Sequence, residues 1–457
     1  MTGQAAVTVR PAGTSLPADV AALVAAWAPG RRWYPGTAEG STPEPWLEVT
    51  VEGADGVVLA LLRLEQPGGD AVVLHVPVVL VPVAEPAAEE QVGPGLVGTV
   101  RTASGTVAVH DGGAHPACWL ALLRATGGTG AGTEADAARV LAGARTISGE
   151  QSNTSVVLPG LRLPEAPAGA MLKILRTVAA GPHPDVTVPQ ALTRAGYPGV
   201  PRFLGSLEAS LDGVPSHLAV LSELVPEARD GFELACDLAE RGEPFDALAA
   251  DLGTVLARLH ATMRTALPGG EPLDPARFVS GLRRRADAAV AAADALAPRA
   301  PEIAAVLDDL EHRLTAQPRP PRLQAVHGDL HLGQALHGAD GWKLLDFEGE
   351  PQRPVAERTA PDLPLRDVAG ILRSLDYAAA VGGARDPGWA ASAEHAFLDA
   401  YRAEAGAPPG MTPDVAQAVL GALVLDKALY EVVYESRQRP RWLHIPLAAV
   451  DRVLAAA

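Results

Sequence analysis

Residues 326–351 read V-H-G-D-L-H-L-G-Q-A-L-H-G-A-D-G-W-K-L-L-D-F-E-G-E-P, and the rest of the chain is interpreted around them. The carboxylate of Asp329 is followed five residues later by the amide of Gln334, and an apolar, strand-like run then ends at Asp346 and Glu348. In phosphoryl transfer one carboxylate orients the attacking hydroxyl and accepts its proton, while an amide oxygen and a second carboxylate hold Mg²⁺ against the triphosphate of ATP. The stretch therefore predicts Asp329 as the catalytic residue and Gln334 and Asp346 as Mg²⁺ ligands. Glu348 is placed to bind a second ion or a bridging water.

The spacing of these residues parallels the catalytic motifs of protein kinases. Those enzymes combine H-R-D-x-x-x-x-N with a later D-F-G, and this chain has H-G-D-L-H-L-G-Q at 327–334 and D-F-E-G at 346–349. The glutamine stands where the kinases have Asn, with the same amide on a longer arm. Two alternatives remain open: a purely structural turn at Asp329 with a strand cap at Asp346, and a metal hydrolase built on H-x-D-x-H. The hydrolase alternative leaves D-F-E-G unexplained.

Four further segments carry a resemblance to a known family. They are I-S-G-E-Q-S-N-T-S-V-V-L (147–158), M-L-K-I-L-R (171–176), P-L-R-D-V-A-G-I-L-R-S-L-D-Y-A (364–378) and L-D-K-A-L-Y-E-V-V-Y-E-S-R-Q-R-P-R-W-L-H-I-P-L (425–447). With them, residues 140–450 resemble the aminoglycoside-phosphotransferase-like kinases, and among these the maltokinases of actinobacteria. The resemblance implies an α+β, bilobal, protein-kinase-like fold with an N-terminal β-rich cap and a mainly helical C-terminal lobe. It also implies transfer of the γ-phosphate of ATP to the anomeric hydroxyl of maltose, giving maltose 1-phosphate.

We expect three parts along the chain: a cap over 1–135, a nucleotide-binding small lobe over 136–226, and a helical lobe over 227–457 with the catalytic loop and the acceptor site. In the cap, apolar periodicity predicts helices over Pro17–Trp27 and Pro116–Ala125 and strands over Trp46–Val51, Val57–Arg63, Ala71–Val83 and Gly98–Val109. The Gly-rich run 127–132 is the best candidate for a linker.

The small lobe is predicted to hold the nucleotide. Lys173 lies in an apolar, strand-like run, and an ammonium there suits the α- and β-phosphates of ATP. By resemblance, the turn at 148–153 would lie over the phosphates. Residues 223–225 would form a hinge whose backbone groups meet the edge of the adenine. The predicted ATP contacts are Lys173, Ser152, Asn153, Glu223 and Val225.

The chain departs from the maltokinase pattern at two places in its first half. The family carries a Lys in the turn that follows a W-[FY] pair, and the turn here, P-G-T-A-E-G-S at 35–41, has none. The family also has an acid where Thr187 stands. The acidic partner of Lys173 is therefore either missing or supplied by Asp185 or Glu150.

Three side chains of the helical lobe are predicted to have structural roles. Asp230 precedes F-E-L and is typical of a helix N-cap. Arg366 and Asp367 project about 100° apart on a predicted helix, so they cannot both face one partner. We expect Asp367 to buttress the catalytic loop and His327 to brace it.

The acceptor is expected near the C-terminal end of the helical lobe. A sugar needs polar side chains and usually an aromatic face. The predicted helix 415–436 and the residues after it form the densest aromatic and polar cluster of an Ala-rich chain. By resemblance, this cluster belongs to the acceptor side of the maltokinases. The predicted acceptor contacts are His331, Tyr430, Glu431, Tyr434 and Trp442.

The identity of the acceptor stays open at this stage. Maltose leads, but the departures from the family pattern leave room for an amino sugar such as glucosamine, giving glucosamine 6-phosphate, and more remotely for an aminoglycoside. A non-enzymatic alternative is a pseudokinase-type nucleotide-binding module. No residue of the predicted catalytic set is missing, so nothing in the sequence requires loss of activity.

Composition narrows the class of protein. The net charge of −17 argues against a nucleic-acid partner, and two cysteines, Cys118 and Cys236, fit a reducing compartment. The N-terminus lacks a signal-peptide pattern, and the apolar run Val72–Val83 is too short to span a bilayer. We expect a cytoplasmic monomer or weak homodimer that binds a sugar and ATP, with Mg²⁺ and without nucleic acid or membrane.

Overall fold

The computed structural model describes residues 4–35, 42–66, 71–83, 95–103, 105–128, 134–147, 152–350, 358, 360–406 and 410–456. The chain divides into two compact units, Met1–Gln190 with Pro201–Leu224, and Ala191–Val200 with Val225–Ala457. Most of the predicted cap and small lobe falls within the first unit, and the predicted helical lobe falls within the second. Residues 129–132 of the predicted linker lie outside the described residues.

The first unit is built on two antiparallel sheets. Its strands are β1 (Val7–Pro11), β2 (Glu44–Val51), β3 (Val57–Glu65), β4 (Ala71–Val83), β5 (Leu96–Thr102), β6 (Gly105–Asp111), β7 (Arg145–Thr146), β8 (Thr154–Leu158), β9 (Ala170–Ile174), β10 (Thr177–Val178), β11 (Phe203–Leu211) and β12 (Val214–Glu223). Its helices are α1 (Ala18–Trp27), α2 (Pro116–Ala125), α3 (Glu134–Leu141) and most of α4 (Pro184–Arg194). One sheet has the order β1-β2-β3-β4-β6-β5, with β10 paired to β4, and the other has the order β11-β12-β9-β8-β7.

Strand β3 shows why the first sheet forms where it does. Successive side chains of a strand point to opposite faces. Val58 and Leu62 belong to the cluster that contains α1, whereas Leu59 and Leu61 belong to the cluster that contains α2. Both faces of β3 are therefore covered, which explains why its sequence is almost continuously apolar.

One predicted strand of the cap is wrong. The sequence predicted a single strand over Gly98–Val109, and the structure has the hairpin β5–β6, in which Thr102 lies opposite Gly105. Gly105 has φ +127, a conformation that side-chain-bearing residues rarely adopt. Apolar residues continue on both sides of the turn, so the pattern by itself did not reveal the reversal.

The second unit is mainly helical. Its strands form a sheet of order β13-β14-β15: β13 (Arg229–Asp230), β14 (Ala335–Gly338) and β15 (Gly341–Leu344). Its helices are α5 (Gly231–Arg241), α6 (Asp246–Ala266), α7 (Pro275–Ala292), α8 (Ala300–Thr315), α9 (Leu365–Val381), α10 (Trp389–Ala405), α11 (Pro413–Gln438) and α12 (His444–Ala456). The predicted α+β class, with helices concentrated toward the C-terminus, is confirmed.

Two local features of the second unit follow directly from its sequence. The Oδ1 atom of Asp230 accepts the N–H groups of Phe232 (2.8 Å) and Glu233 (2.9 Å), which confirms it as the N-cap of α5. Helix α6 approaches α10 closely at Gly253, because a Cβ at that position would lie 2.3 Å from the carbonyl oxygen of Phe397. Among the described helices, none combines the length and hydropathy needed to cross a membrane.

Candidate active site

The loop that carries Asp329 is fixed by a buried carboxylate of α9. The N–H groups of His327 and Gly328 donate to the two oxygens of Asp367, at 2.8 Å and 2.9 Å. Asp367 is 1% exposed. Helix α9 can approach the loop because Gly370 has no Cβ, which would lie 2.1 Å from the carbonyl oxygen of Leu330. The predicted role of Asp367 as a buttress of this loop agrees with the geometry.

Asp367 also has a partner on α6. The Nε2 atom of His260 lies 2.9 Å from its Oδ2, and the other ring nitrogen lies 2.9 Å from the hydroxyl of Tyr401. Burial acts to raise the pKa of Asp367. The hydrogen bond and charge of His260, together with His327 and the N–H of Gly328, outweigh burial and bring that pKa below its usual value. The carboxylate therefore stays ionised in the folded protein.

Replacing Asp367 by Asn is expected to lower the free energy of unfolding by about 3 kcal/mol at neutral pH, because it removes a buried charge from its partners. A carboxyl whose pKa is lowered by folding stabilises the protein above its unfolded pKa, and that contribution is lost as the pH falls through the folded value. The deficit of the variant, measured by denaturant unfolding, should therefore shrink below about pH 4.

The matched control is Asp399→Asn, since Asp399 forms an exposed pair with His395 at 3.1 Å on α10. An exposed pair contributes about 0–1 kcal/mol, so this variant should unfold nearly as the parent does. Equal losses for the two variants would refute the role given to Asp367.

His327 connects the loop to the chain that follows β15. Its Nε2 lies 2.6 Å from the carbonyl oxygen of Leu345, and its ring lies 4.9 Å from that of Phe347. The side chain is buried. These contacts hold the H-G-D turn against the D-F-E-G turn, in agreement with the predicted bracing role.

The predicted metal ligands Gln334 and Asp346 lie side by side. The amide nitrogen of Gln334 is 3.3 Å from Oδ2 of Asp346. Asp346 has φ +61, which is uncommon for a residue with a side chain and is the kind of backbone strain that concentrates at functional sites. Glu348 follows two residues later, and both carboxylates are partly exposed. Oxygen donors of this kind fit Mg²⁺.

A cavity of about 540 Å³ lies in the second unit and is lined by α5, α9, α11 and the loop at His331. It is lined by four of the five predicted acceptor residues, His331, Tyr430, Glu431 and Tyr434. Trp442 is not among the lining residues. Its ring stacks under the guanidinium of Arg439, at 4.2 Å, and lies 6.4 Å from the ring of Tyr377.

His331 presents a defined hydrogen-bonding group to this cavity. Its Nδ1 accepts the N–H of Gly333 at 3.0 Å, so the proton of the neutral ring lies on Nε2. Burial is the largest influence on the pKa of His331 and lowers it. The charge of Asp329 acts to raise that pKa, Lys427 and His327 lower it, and the pKa stays below its usual value. The imidazole is therefore a neutral donor at neutral pH.

Several cavity residues were missed by the sequence analysis because they lie far apart along the chain. They are Asp230, Glu233, Arg373 and Tyr377. Glu435, which also lines the cavity, belongs to the C-terminal cluster that the sequence placed near the acceptor. Nothing local marked the other four as acceptor residues.

Some of the acidic side chains that line the cavity are paired with cationic side chains, and others have no such partner among the described residues. Nε of Arg373 donates to Glu431 at 2.8 Å, and Glu435 accepts from Arg439 at 2.6 Å and from the hydroxyl of Tyr377 at 3.0 Å. No cationic side chain among the described residues pairs with Asp230 or Glu233. The wall formed by the start of α5 is therefore the acidic side of the cavity.

The wall formed by α11 holds Lys427, whose Nζ lies 3.0 Å from Oδ1 of Asp329. This ion pair joins α11 to the catalytic loop across 98 residues of sequence. It brings the predicted catalytic carboxylate to the edge of the cavity that holds the predicted acceptor residues.

In the first unit, Lys173 lies on β9 and pairs with Asp185 of α4 at 2.5 Å. Of the two acids that the sequence offered in place of the one absent at Thr187, Asp185 pairs with Lys173, and Glu150 lies outside the described residues. The pair holds the ammonium in place, as the lysine of kinases is held by an acid.

Two predicted nucleotide contacts, Ser152 and Asn153, differ in burial and in their hydrogen bonds. Asn153 is buried, and its Oδ1 accepts the N–H of Arg176 at 3.2 Å, whereas Ser152 is exposed. Residues 148–151 of the predicted phosphate turn lie outside the described residues. Arg176, which the sequence analysis missed, bonds both oxygens of Asp111 at 3.0 Å. Asn153 therefore helps to anchor an arginine, and its side-chain carbonyl is already used.

The predicted hinge residue Glu223 is also engaged within the first unit. Its N–H donates to the carbonyl oxygen of Arg202 at 2.9 Å, and its Oε2 accepts the N–H of Arg202 at 3.2 Å. The N–H of Leu224 donates to Gly169. The predicted contact of residues 223–225 with adenine stays a prediction, and the N–H groups of Glu223 and Leu224 are already bonded within the first unit.

Comparison with known proteins agrees with this geometry. A family model described as "Phosphotransferase enzyme family" (APH) matches residues 155–407. A glucosamine kinase of Streptacidiphilus jiangxiensis is 32% identical over 350 residues, covering 69% of this chain and 76% of that protein. A glucosamine kinase of Mycolicibacterium smegmatis is 28% identical over 342 residues, covering 70% and 81%.

The likeness extends to solved structures. A glucosamine kinase in complex with glucosamine, ADP and inorganic phosphate has a TM-score of 0.64 and 26% identity to this chain, covering 94% of it and 98% of that structure. The protein-kinase-like fold expected from the sequence is thereby confirmed. Because the family model spans more than half of the chain and the first relative exceeds 30% identity over two thirds of it, the chain belongs to the phosphotransferase enzyme family and is an ATP-dependent phosphotransferase.

Proposed function

We propose that this phosphotransferase is an amino-sugar kinase, with glucosamine as its leading acceptor. The observation that carries the proposal is the polarity of the 540 Å³ cavity. Asp230 and Glu233 form an acidic wall without a cationic partner among the described residues, and Lys427 holds Asp329 at the other wall. An acceptor with an ammonium at one end and a reacting hydroxyl at the other matches this arrangement.

Similarity to known glucosamine kinases supports the same proposal. The two glucosamine kinases described above are similar along about 70% of this chain, and the glucosamine-bound structure is similar along almost all of it. Maltose is the second candidate. The C-terminal segment 425–447 resembles that of maltokinases, and the stacked rings of Tyr430 and Tyr434, 6.5 Å apart, offer an aromatic face.

In the proposed reaction Asp329 receives the proton of the acceptor hydroxyl as that oxygen attacks the γ-phosphorus of ATP. Lys173, held by Asp185, is assigned to the α- and β-phosphates. Gln334 and Asp346 would hold Mg²⁺, which when bound neutralises charge on the phosphates. The neutral Nε2–H of His331 is available to a sugar hydroxyl.

The proposal is tested by measuring ADP release with ATP and Mg²⁺ in the presence of glucosamine, glucose, maltose or an aminoglycoside. Turnover with glucosamine well above that with glucose supports it, since the two differ only in the amino group. Turnover with maltose alone would move the protein to the second candidate. If no sugar raises ADP release above the background rate, the phosphotransferase has no acceptor among these sugars and the proposal is overturned.

Replacing Asp230 by Asn should raise the KM for glucosamine about tenfold, because a charge-assisted hydrogen bond contributes roughly 1.5–3 kcal/mol. The KM for a neutral sugar should not change. Asn is as good an N-cap as Asp, so α5 remains intact. The control is Asp237→Asn on the same helix, whose carboxylate pairs with Arg229 at the surface. An equal rise in the KM for glucosamine and in the KM for a neutral sugar would show that Asp230 does not recognise the amino group.

A further inference from the structure

The carboxylate of Asp329 is held asymmetrically. Its Oδ1 accepts from the Lys427 ammonium at 3.0 Å, and its Oδ2 forms no hydrogen bond with any described residue. Both side chains are largely covered, with 19% of Asp329 and 26% of Lys427 exposed. The ion pair therefore holds the carboxylate in an orientation in which one of its oxygens is engaged.

The Lys427 side chain keeps its charge under working conditions. Burial acts to lower its pKa, but Asp329, Glu350 and Glu431 together raise it above the usual value. Glu350 lies at 4.0 Å from Nζ and is the second acid facing it. The ammonium is therefore a permanent cation through the neutral range.

Lys427 also belongs to the element that forms the acceptor wall. Tyr430 and Glu431 follow it at i+3 and i+4 on α11, so the three side chains share one face of that helix, and all three line the cavity. A rigid helix thus carries both the acceptor wall and the group that contacts the catalytic carboxylate.

We propose that Lys427 is a positioning residue for the reaction, one that pins Oδ1 of Asp329 and leaves Oδ2 to take the proton of the acceptor hydroxyl. This inference rests on the proposed function. In the step, the acceptor O–H bond breaks and its proton passes to Oδ2. The acceptor oxygen bonds to the γ-phosphorus while the bond from that phosphorus to the bridging oxygen breaks, and ADP leaves with the electron pair.

The first test compares Lys427→Met, Lys427→Arg and the control Arg437→Met. Arg437 lies on the same helix, is exposed, and has no partner among the described residues. Loss of the pin should lower kcat about 10²-fold, the cost of misplacing a reacting group by about 1 Å, with the KM for ATP unchanged. Lys427→Arg should recover part of the loss, and Arg437→Met should match the parent. A kcat for Lys427→Met within about threefold of the parent would overturn the proposal.

The second test separates positioning from general damage. If Lys427 acts through Asp329, the double variant Asp329→Asn/Lys427→Met should be no slower than Asp329→Asn alone. If the loss of kcat in the double variant equals the product of the two single losses, Lys427 acts elsewhere and the proposal is refuted.

Four proteins keep the inference testable if the proposed function fails: the parent, Asp329→Asn, Lys427→Met and the double variant. If the parent phosphorylates no sugar, the amino-sugar proposal fails, but thermal unfolding of these four proteins still tests whether Lys427 holds Asp329. Coupled changes in Tm across the cycle are expected for a bonded pair, and additive changes would rule the pin out.

Discussion

Replacing Asp329 by Asn is expected to lower kcat by about 10³-fold, within the range that a positioned general base contributes. Asn has nearly the same shape and keeps an oxygen for the Lys427 ammonium, so the catalytic loop and α11 should stay in place. It has no carboxylate to accept the proton of the acceptor hydroxyl. Steady-state ADP release with the best acceptor, together with the affinity for ATP by calorimetry, measures the effect.

The control for this variant is Asp340→Asn, in the exposed turn between β14 and β15. It removes the same charge from the hairpin that follows the catalytic loop, without touching that loop, and turnover should stay at the parental rate. Retention of more than a tenth of kcat by Asp329→Asn, with ATP affinity unchanged, would exclude Asp329 as the proton acceptor.

Replacing Asp346 by Asn should remove most turnover through the metal. A metal ion supplies several kcal/mol of charge stabilisation to the transition state, so its weakened binding should cost about 10²–10³-fold in rate. The loss should be largest at low Mg²⁺ and should recede as Mg²⁺ is raised, because the carboxylate was a ligand and not the base. A titration of rate against Mg²⁺ measures both features.

This dependence distinguishes the two aspartates. Asp329→Asn should be slow at every Mg²⁺ concentration, whereas Asp346→Asn should require more Mg²⁺ than the parent for half-maximal rate. Near-normal turnover of Asp346→Asn at an unchanged Mg²⁺ requirement would remove the metal role assigned to the D-F-E-G turn.

The elements that the sequence predicted well are those in which chemistry and periodicity are local. The helix N-cap at Asp230 and strand β9 around Lys173 follow from residues that are neighbours along the chain. The hairpin β5–β6 was missed because its turn interrupts an apolar run by only a few residues.

Three residues of the predicted site have partners that the sequence did not indicate. Asn153 and Glu223 were assigned to the nucleotide from their position in a resemblance, yet their polar groups are bonded to Arg176 and Arg202. Trp442 was grouped with the acceptor from its position after α11; it is not among the lining residues, and it stacks with Arg439, which is one of them. Which polar groups remain available is decided by partners that only folding brings near.

The sequence by itself determined the reaction class, because carboxylates and an amide at fixed spacing are sufficient to identify phosphoryl-transfer chemistry. Only the tertiary structure decided how the carboxylate of Asp329 is held and which acceptor the cavity would suit. The ion pair between Lys427 and Asp329 joins residues 98 positions apart, and the acidic wall at Asp230 faces residues contributed by two later helices. Such contacts depend on the packing of whole helices, and no periodicity along the chain records them.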